Sequence, residues 1–260
     1  MRYTSILSMH KIALSVLMIS KNNEDIIEDA LKSVYKIASE IILIDSSSKD
    51  KTINIAKKYK SKIYQYDEND FGKKRAYALK KANGGWILFL DTDERLSDKL
   101  QIEIKKTIKN NKFNGHYIKL INYFYNKPLK RGGGIYKKLL LIKKNDAIIN
   151  PSLIHEEIKS KSQKIGTLKN YINHYSYRNI FQLYSKFTNY AIRCAKQKRQ
   201  NNEKTSFKKI FLYPMHMFWA RYIKDKAYKE GIFRIPVDIG FAYMEFLTYF
   251  LMLFIKNKSK

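Results

Sequence analysis

The sequence is short of cysteine, of long apolar runs and of acid, and each shortage removes a class of protein. Its single cysteine, Cys194 in "YAIRCAKQK", excludes an internal disulfide framework and fits a reducing compartment. That segment has a helical pattern and no evident base, so the thiol reads as buried or inert. The apolar run "FLTYFLMLFI" near the C-terminus is only ten residues long, whereas a bilayer span needs about 20. At the other end His10 and Lys11 interrupt the apolar stretch, and "KNNED" stands where a signal-peptide cleavage site should be. Met9 would serve as a start as well as Met1, which would make residues 1–8 dispensable. No internal repeat is evident.

Acid is the most telling shortage. Asp and Glu number 23 against 51 Lys and Arg, a formal charge of +28. An imbalance of that size implies an anionic partner: nucleic acid, a phospholipid surface or phosphorylated substrates. Lys, Asn, Ile and Tyr are abundant together, as codon bias in an AT-rich genome produces, and this accounts for part of the Lys excess. With 45% hydrophobic residues the chain is globular rather than disordered. Its 260 residues suffice for one substantial core with an appendage.

Apolar residues fill 12–20 without alternation, as in a strand covered on both faces. "NEDIIEDALKSVYKI" has helical spacing, with Asn22 or Asn23 as cap and Glu24, Asp25 and Glu28 at the positive end of the dipole. "EIILIDSS" is a second strand ending in Asp45, "SKDKTINIAKKYK" a helix, and "KIYQYD" a third strand. "FGKKRAYALKKAN" is a third helix, stopped by Gly84-Gly85, and "WILFLD" is the fourth strand. This alternation predicts an α/β fold, Rossmann-like, with a mainly parallel sheet flanked by helices and right-handed crossovers. After a helix at 97–110, "GHYIKLINYFYN" and "IYKKLLLIKKN" form a strand pair around "KPLKRGGG", and "PSLIHEEI" is another short element. From about residue 177 long helical patterns take over. The expected division is therefore 1–176 and a helical extension 177–260. There, aromatics mixed with Lys and Arg suit contact with an anionic membrane surface.

Against so basic a background, "WILFLDTDERLS" gathers three carboxylates. Asp91 and Asp93 straddle Thr92 at a strand end, where ligands of such sheets collect. Residues two apart on extended backbone point the same way, so both can face one divalent ion. Mg²⁺ or Mn²⁺ takes one or two carboxylates plus substrate phosphates. A plainer reading is a helix start, with acid favoured at the dipole and Glu94 as a cap.

Four blocks in order decide between them: "LSVLMISKNNEDIIEDALKSV", "EIILIDSSSKDKT", "GKKRAYALKKANGGWILFLDTDE" and "IHEEI". Together, over residues 12 to about 180, they resemble family 2 glycosyltransferases of the GT-A fold. More narrowly they look like the bacterial branch that adds glucose to the inner core of lipopolysaccharide or lipooligosaccharide, whose "KNEE", "DSxSxDxT", "DADE" and "HE" blocks stand here as "KNNE", "DSSSKDKT", "DTDE" and "HEE".

The resemblance implies an inverting, metal-dependent hexosyltransferase using a UDP-sugar and a lipid-linked or core oligosaccharide acceptor. The expected location is the inner face of the cytoplasmic membrane, with no nucleic acid as partner. By the same carry-over Asp45 would accept hydrogen bonds from the base, and Ser20, Lys21 and Glu24 would border the nucleoside. Lys74 or Arg75 would contact phosphates, Asp91 would position the donor, and Asp93 would hold Mg²⁺ or Mn²⁺, with Asp91 and His174 as further candidate ligands. Glu156 would be the base that inversion requires, with Glu157 the alternative, and His155 would orient the acceptor. Two departures stand out: "YKKLLLI" has only Lys137 and Lys138 where the branch has Arg, and "KEGIFR" replaces a Gly-rich "DG" segment. Other readings are assembly of a different surface glycan, a nucleic-acid-binding protein, or a non-catalytic membrane-surface protein.

Overall fold

The computed structural model describes residues 13–68, 70–110, 112–150 and 157–255. Three strand–helix units come first: β1 (Leu14–Ser20) and α1 (Ile27–Tyr35), β2 (Glu40–Asp45) and α2 (Thr52–Lys58), β3 (Lys62–Gln65) and α3 (Phe71–Lys81). β4 (Trp86–Phe89), β5 (Glu94–Leu96) and α4 (Asp98–Thr107) follow. Then come β6 (Gly115–Phe124), β7 (Lys127–Pro128), β8 (Ile135–Lys143), β9 (Ala147–Asn150), β10 (Glu157–Ser160) and β11 (Ile165–Tyr177). Three helices close the chain: α5 (Ile180–Gln200), α6 (Phe207–Phe218) and α7 (Ile235–Leu251).

The main sheet runs β3-β2-β1-β4-β8-β6-β11-β5. Its first four strands are mutually parallel, as the continuous apolar runs predict. β8 pairs antiparallel with β4 and with β6, so the sequence-predicted strand pair extends the sheet. β9 and β10 form a separate antiparallel ribbon. α1 covers the sheet with Ile27, Ala30, Leu31 and Val34, the i, i+3, i+4, i+7 set, all fully buried.

Three local expectations fail for identifiable reasons. Neither Asn22 nor Asn23 caps α1: a turn at 24–26 intervenes, and Asn23 lends its backbone carbonyl to Ile26 and Ile27 instead. Gly84 does not stop α3, which ends at Lys81. A Cβ at Gly84 would lie 2.6 Å from Ser15 Oγ and 2.7 Å from the Ala13 carbonyl, so close approach of two backbones requires glycine there. Glu94 does not cap α4, because β5 separates them and Ser97 accepts from Leu100 N.

The C-terminal helices pack on the β11 end of the sheet. α5 presents Leu183, Phe187, Ala191 and Ala195 on one buried stripe, and Gly240 of α7 lets the ring of Phe187 approach, since a Cβ there would sit 2.6 Å away. The loop "KRGGG" is locked onto this assembly by charge. Arg234, fully buried, pairs with Asp238 at 2.8 and 3.0 Å and donates to the Gly132 carbonyl at 3.0 Å. Arg221 adds a contact to Asp238 at 3.1 Å. Gly132 has φ +52°, and its bare Cα is what Arg234 packs against.

Candidate active site

The carboxyl ends of β1, β2 and β4 open onto one cleft of about 640 Å³. Ser20, Lys21 and Asn23 line it from β1 and the loop after it, Ser46 from the end of β2, and Asp91, Thr92 and Asp93 from the end of β4. α3 brings Phe71, Lys74 and Arg75, and α5 adds Lys186, Tyr190 and Arg193. Three separate strand ends and two helices thus converge where an open α/β sheet binds ligands.

Each acid of the triplet does something different. Asp91 Oδ1 is held by Arg75 Nη2 at 2.8 Å. Asp93 Oδ2 faces Lys186 Nζ at 3.2 Å, and its Oδ1 faces His174 Nε2 at 3.4 Å. Burial opposes the charge on Asp93, but His174 and Lys186 outweigh it and hold the carboxyl well below the usual range. His174 is tethered on its other side by Tyr136 Oη at 2.8 Å from Nδ1, so a Tyr136–His174–Asp93 chain aims the carboxylate. Burial alone would lower His174; Asp93, with Glu94 and Asp91 behind it, raises it above its ordinary value. Glu94 turns inward, with Oε2 accepting from Asp91 N at 3.0 Å and Oε1 buried without a partner. Burial, then the charge of Asp91, pushes its carboxyl up to about 7.

The cleft is cationic despite the acids. Lys21, Lys74, Arg75, Lys186 and Arg193 line it against Asp67, Asp91 and Asp93. Lys74 is nearly buried, and burial, then the neighbouring Lys21, lowers its affinity for a proton. Such a ring suits a ligand with several negative charges.

Several residues expected at the site have partners within the fold. Asp45 is fully buried and does not reach the cleft: its carboxylate accepts from Ser20 Oγ at 3.2 Å, Ser48 N at 2.8 Å and Ser48 Oγ at 2.6 Å, so it shapes the loop. Glu24 is likewise occupied, accepting from Lys51 N at 2.8 Å and so tying the β1 loop to the start of α2. Asp91, Asp93 and His174 do not form a metal-holding trio; among the described residues no group of three or more His, Cys, Asp or Glu is arranged for one. Asp91 is paired with Arg75 and Asp93 with Lys186 and His174; Asp93, held ionised at the cleft wall, is the carboxylate that would hold such an ion beside phosphate oxygens, in exchange for its Lys186 contact. His155 and Glu156 lie outside the described residues, and Glu157 opens β10.

Lys186, Tyr190 and Arg193 were not expected. Their i, i+4, i+7 spacing in "KFTNYAIR" marks one face of a helix, but nothing in the sequence says which element that face meets.

Known proteins resemble the chain in sequence and in fold. An uncharacterized glycosyltransferase of Rickettsia bellii is 29% identical over 246 residues, covering 90% of this chain and 84% of its own. The poly(ribitol-phosphate) β-N-acetylglucosaminyltransferase TarS of Staphylococcus aureus is 30% identical over 195 residues, 61% of this chain and 32% of TarS. The crystal structure of TarS 1-349 in complex with UDP-GlcNAc matches with a TM-score of 0.50 at 16% identity over 90% of each chain, which shows the fold. A Mycobacterium tuberculosis glucosyl-3-phosphoglycerate synthase solved with Mn²⁺ and UDP gives a TM-score of 0.43 at 13% identity, covering 64% of this chain and 72% of its own. None of these proteins is named for lipopolysaccharide core assembly, so the narrower branch has no support among them. The sequence model of "Glycosyl transferase family 2" matches residues 15–158. With more than half of its length so matched, the chain belongs to glycosyl transferase family 2.

Proposed function

We propose that the chain transfers a hexosyl unit, with inversion, from a UDP-sugar to a lipid-linked or core oligosaccharide at the inner face of the cytoplasmic membrane, with Mg²⁺ or Mn²⁺ at Asp93. The four sequence blocks favour glucose added to a lipopolysaccharide or lipooligosaccharide core. The likeness to TarS, solved with UDP-GlcNAc, favours a second reading of the same chemistry: another surface glycan and an N-acetylhexosamine donor.

The observation that carries the proposal is the cleft, where five cations and one strongly ionised carboxylate meet at the ends of parallel strands. Ser20, Lys21 and Asn23 border the nucleoside, and Lys74, Lys186 and Arg193 meet the diphosphate. Arg75 holds Asp91 in place and stands between this cleft and a groove lined by Tyr117, Lys138 and Ile158. Ile158 lines this groove from β10, which supports placing the acceptor there, with Glu156 or Glu157 as the base that inversion requires. A divalent ion at Asp93 would supply charge neutralisation of the departing diphosphate. The catalytic unit is then 1–176, with α5 of the 177–260 extension completing its cleft.

A screen of UDP-glucose, UDP-galactose and UDP-GlcNAc for hydrolysis with Mn²⁺ present tests the donor. Turnover of one of them, falling about 10³-fold in Asp93→Asn, is the expected outcome. Unchanged turnover in that variant overturns the role of Asp93, and a folded chain that binds no UDP-sugar overturns the donor class.

A further inference from the structure

We propose that the outer face of α6 and α7 is a docking surface for an anionic lipid bilayer. Four side chains on or next to these helices are more exposed than apolar groups ordinarily are in a monomer: Phe207 at 77%, Met215 at 67%, Ile232 at 82% and Phe254 at 70%. Phe254 and Met215 belong to wider apolar groups on these helices. Phe211 of α6 faces Phe246 of α7 in a tilted pair at 6.5 Å, and Phe246, Phe250 and Phe254 continue as a ladder with ring centroids 5.6 and 5.3 Å apart. Beside the ladder, Pro214, Met215, Phe218, Ile239 and Ala242 line an almost wholly apolar notch of about 490 Å³.

Charge identifies the occupant. Lys208 on α6 and Lys224, Lys226 and Lys229 in the segment joining α6 to α7 are exposed, and the sequence after α7, "KNKSK", adds three more lysines. A second copy would bring another +28 against the first, whereas an anionic headgroup layer brings the opposite sign. No helix among the described residues is long and apolar enough to cross a membrane, so the face lies on the bilayer with its aromatics in the interface. α5 connects docking to chemistry. Lys186, Tyr190 and Arg193 line the cleft, while Leu183, Phe187, Ala191 and Ala195 form its buried stripe and α7 packs on it. The cleft is thus one helix away from the lipid.

Two tryptophans make the test site-specific, since Trp86 is buried at 3% exposure and Trp219 stands 49% exposed on the proposed face. The full chain is mixed with vesicles of phosphatidylcholine alone or with equal phosphatidylglycerol, and flotation and tryptophan emission are recorded. Expected are flotation and a blue shift with the anionic vesicles, at least tenfold weaker with the neutral ones. Both should fall at least tenfold in Met215→Glu/Phe254→Glu, whose substituted positions are exposed enough to leave circular dichroism and UDP binding unchanged. Equal flotation of that folded variant overturns the proposal. So does a concentration-dependent dimer that the double substitution abolishes, which would assign the face to a second copy.

Discussion

Among the described residues, nine large apolar side chains are exposed between Tyr35 and Phe181, against thirteen in the much shorter stretch from Phe207 to Phe254. The two regions also differ in how they bury charge. The sheet region keeps its core apolar and places acids at strand ends and edges, where loops, cations or ligands meet them. The helical region hides an ion network, Arg221, Arg234 and Asp238, and leaves many large apolar side chains outside. The first arrangement builds a cleft; the second builds a surface. Removing one charge from each region sharpens the contrast.

The largest effect is expected in the helical region. Arg234→Met strips Asp238 of two hydrogen bonds at zero exposure and releases the Gly132 loop. Breaking a buried pair from one side costs about 3–4 kcal/mol. Denaturant titration should show that loss. Hydrogen exchange should accelerate over 207–251 and the 130–134 loop while β1, β2 and β4 stay protected. Uniform acceleration across the sheet would show that the two regions unfold as one unit.

Next in size is Glu40, at the start of β2. Its carboxylate accepts from Ser15 Oγ at 2.5 Å, Asn83 N at 2.6 Å and Lys62 Nζ at 2.7 Å, fastening the approach of Gly84 to β1. Burial works against its charge, but these partners prevail and lower its pKa to about 2 from an ordinary 4.5. Folding therefore favours the ionised form. Its contribution is complete above about pH 4.5 and is lost as the pH falls toward 2. Glu40→Gln should cost about 2 kcal/mol at pH 7 and much less at pH 2.5, read as converging melting curves. Parallel curves across that window would remove Glu40 from the account.

How much of this was legible follows from what sequence patterns encode. Apolar runs and helical periods located β1, β2 and β4, and so put Asp91 and Asp93 at a strand end; the structure agrees. The partition of labour among the acids was not legible, because it depends on partners from distant elements: Arg75 for Asp91, Lys186 and His174 for Asp93. Asp45 was placed at the right strand end, yet Ser20 and Ser48 claim its carboxylate. The glycines of "KRGGG" had no assigned role until Arg234, about a hundred residues later, came to rest on one of them. The "IHEEI" block remains the least accessible, since His155 and Glu156 fall outside the described residues.

The smallest effect concerns Glu94, a buried acid of the sheet region with none of the cations that Asp238 has. Asp238 is matched by two guanidinium groups, whereas Glu94 meets one backbone N–H, has an unpartnered Oε1 and feels the charge of Asp91. Its pKa is therefore raised, to about 7, and the folded chain holds a proton there more tightly than the unfolded chain does. The stability from that proton is present below the ordinary value of 4.5 and is lost as the pH climbs through about 7. Glu94→Gln keeps a carbonyl oxygen for the Asp91 N–H and cannot acquire the charge. Its melting temperature should match the parent at pH 5 and exceed it at pH 8.5, by about 1 kcal/mol or a few degrees. A parent chain that is the more stable at pH 8.5 would mean the ionised carboxylate has found a cation in the fold, and the contrast with Asp238 would then dissolve.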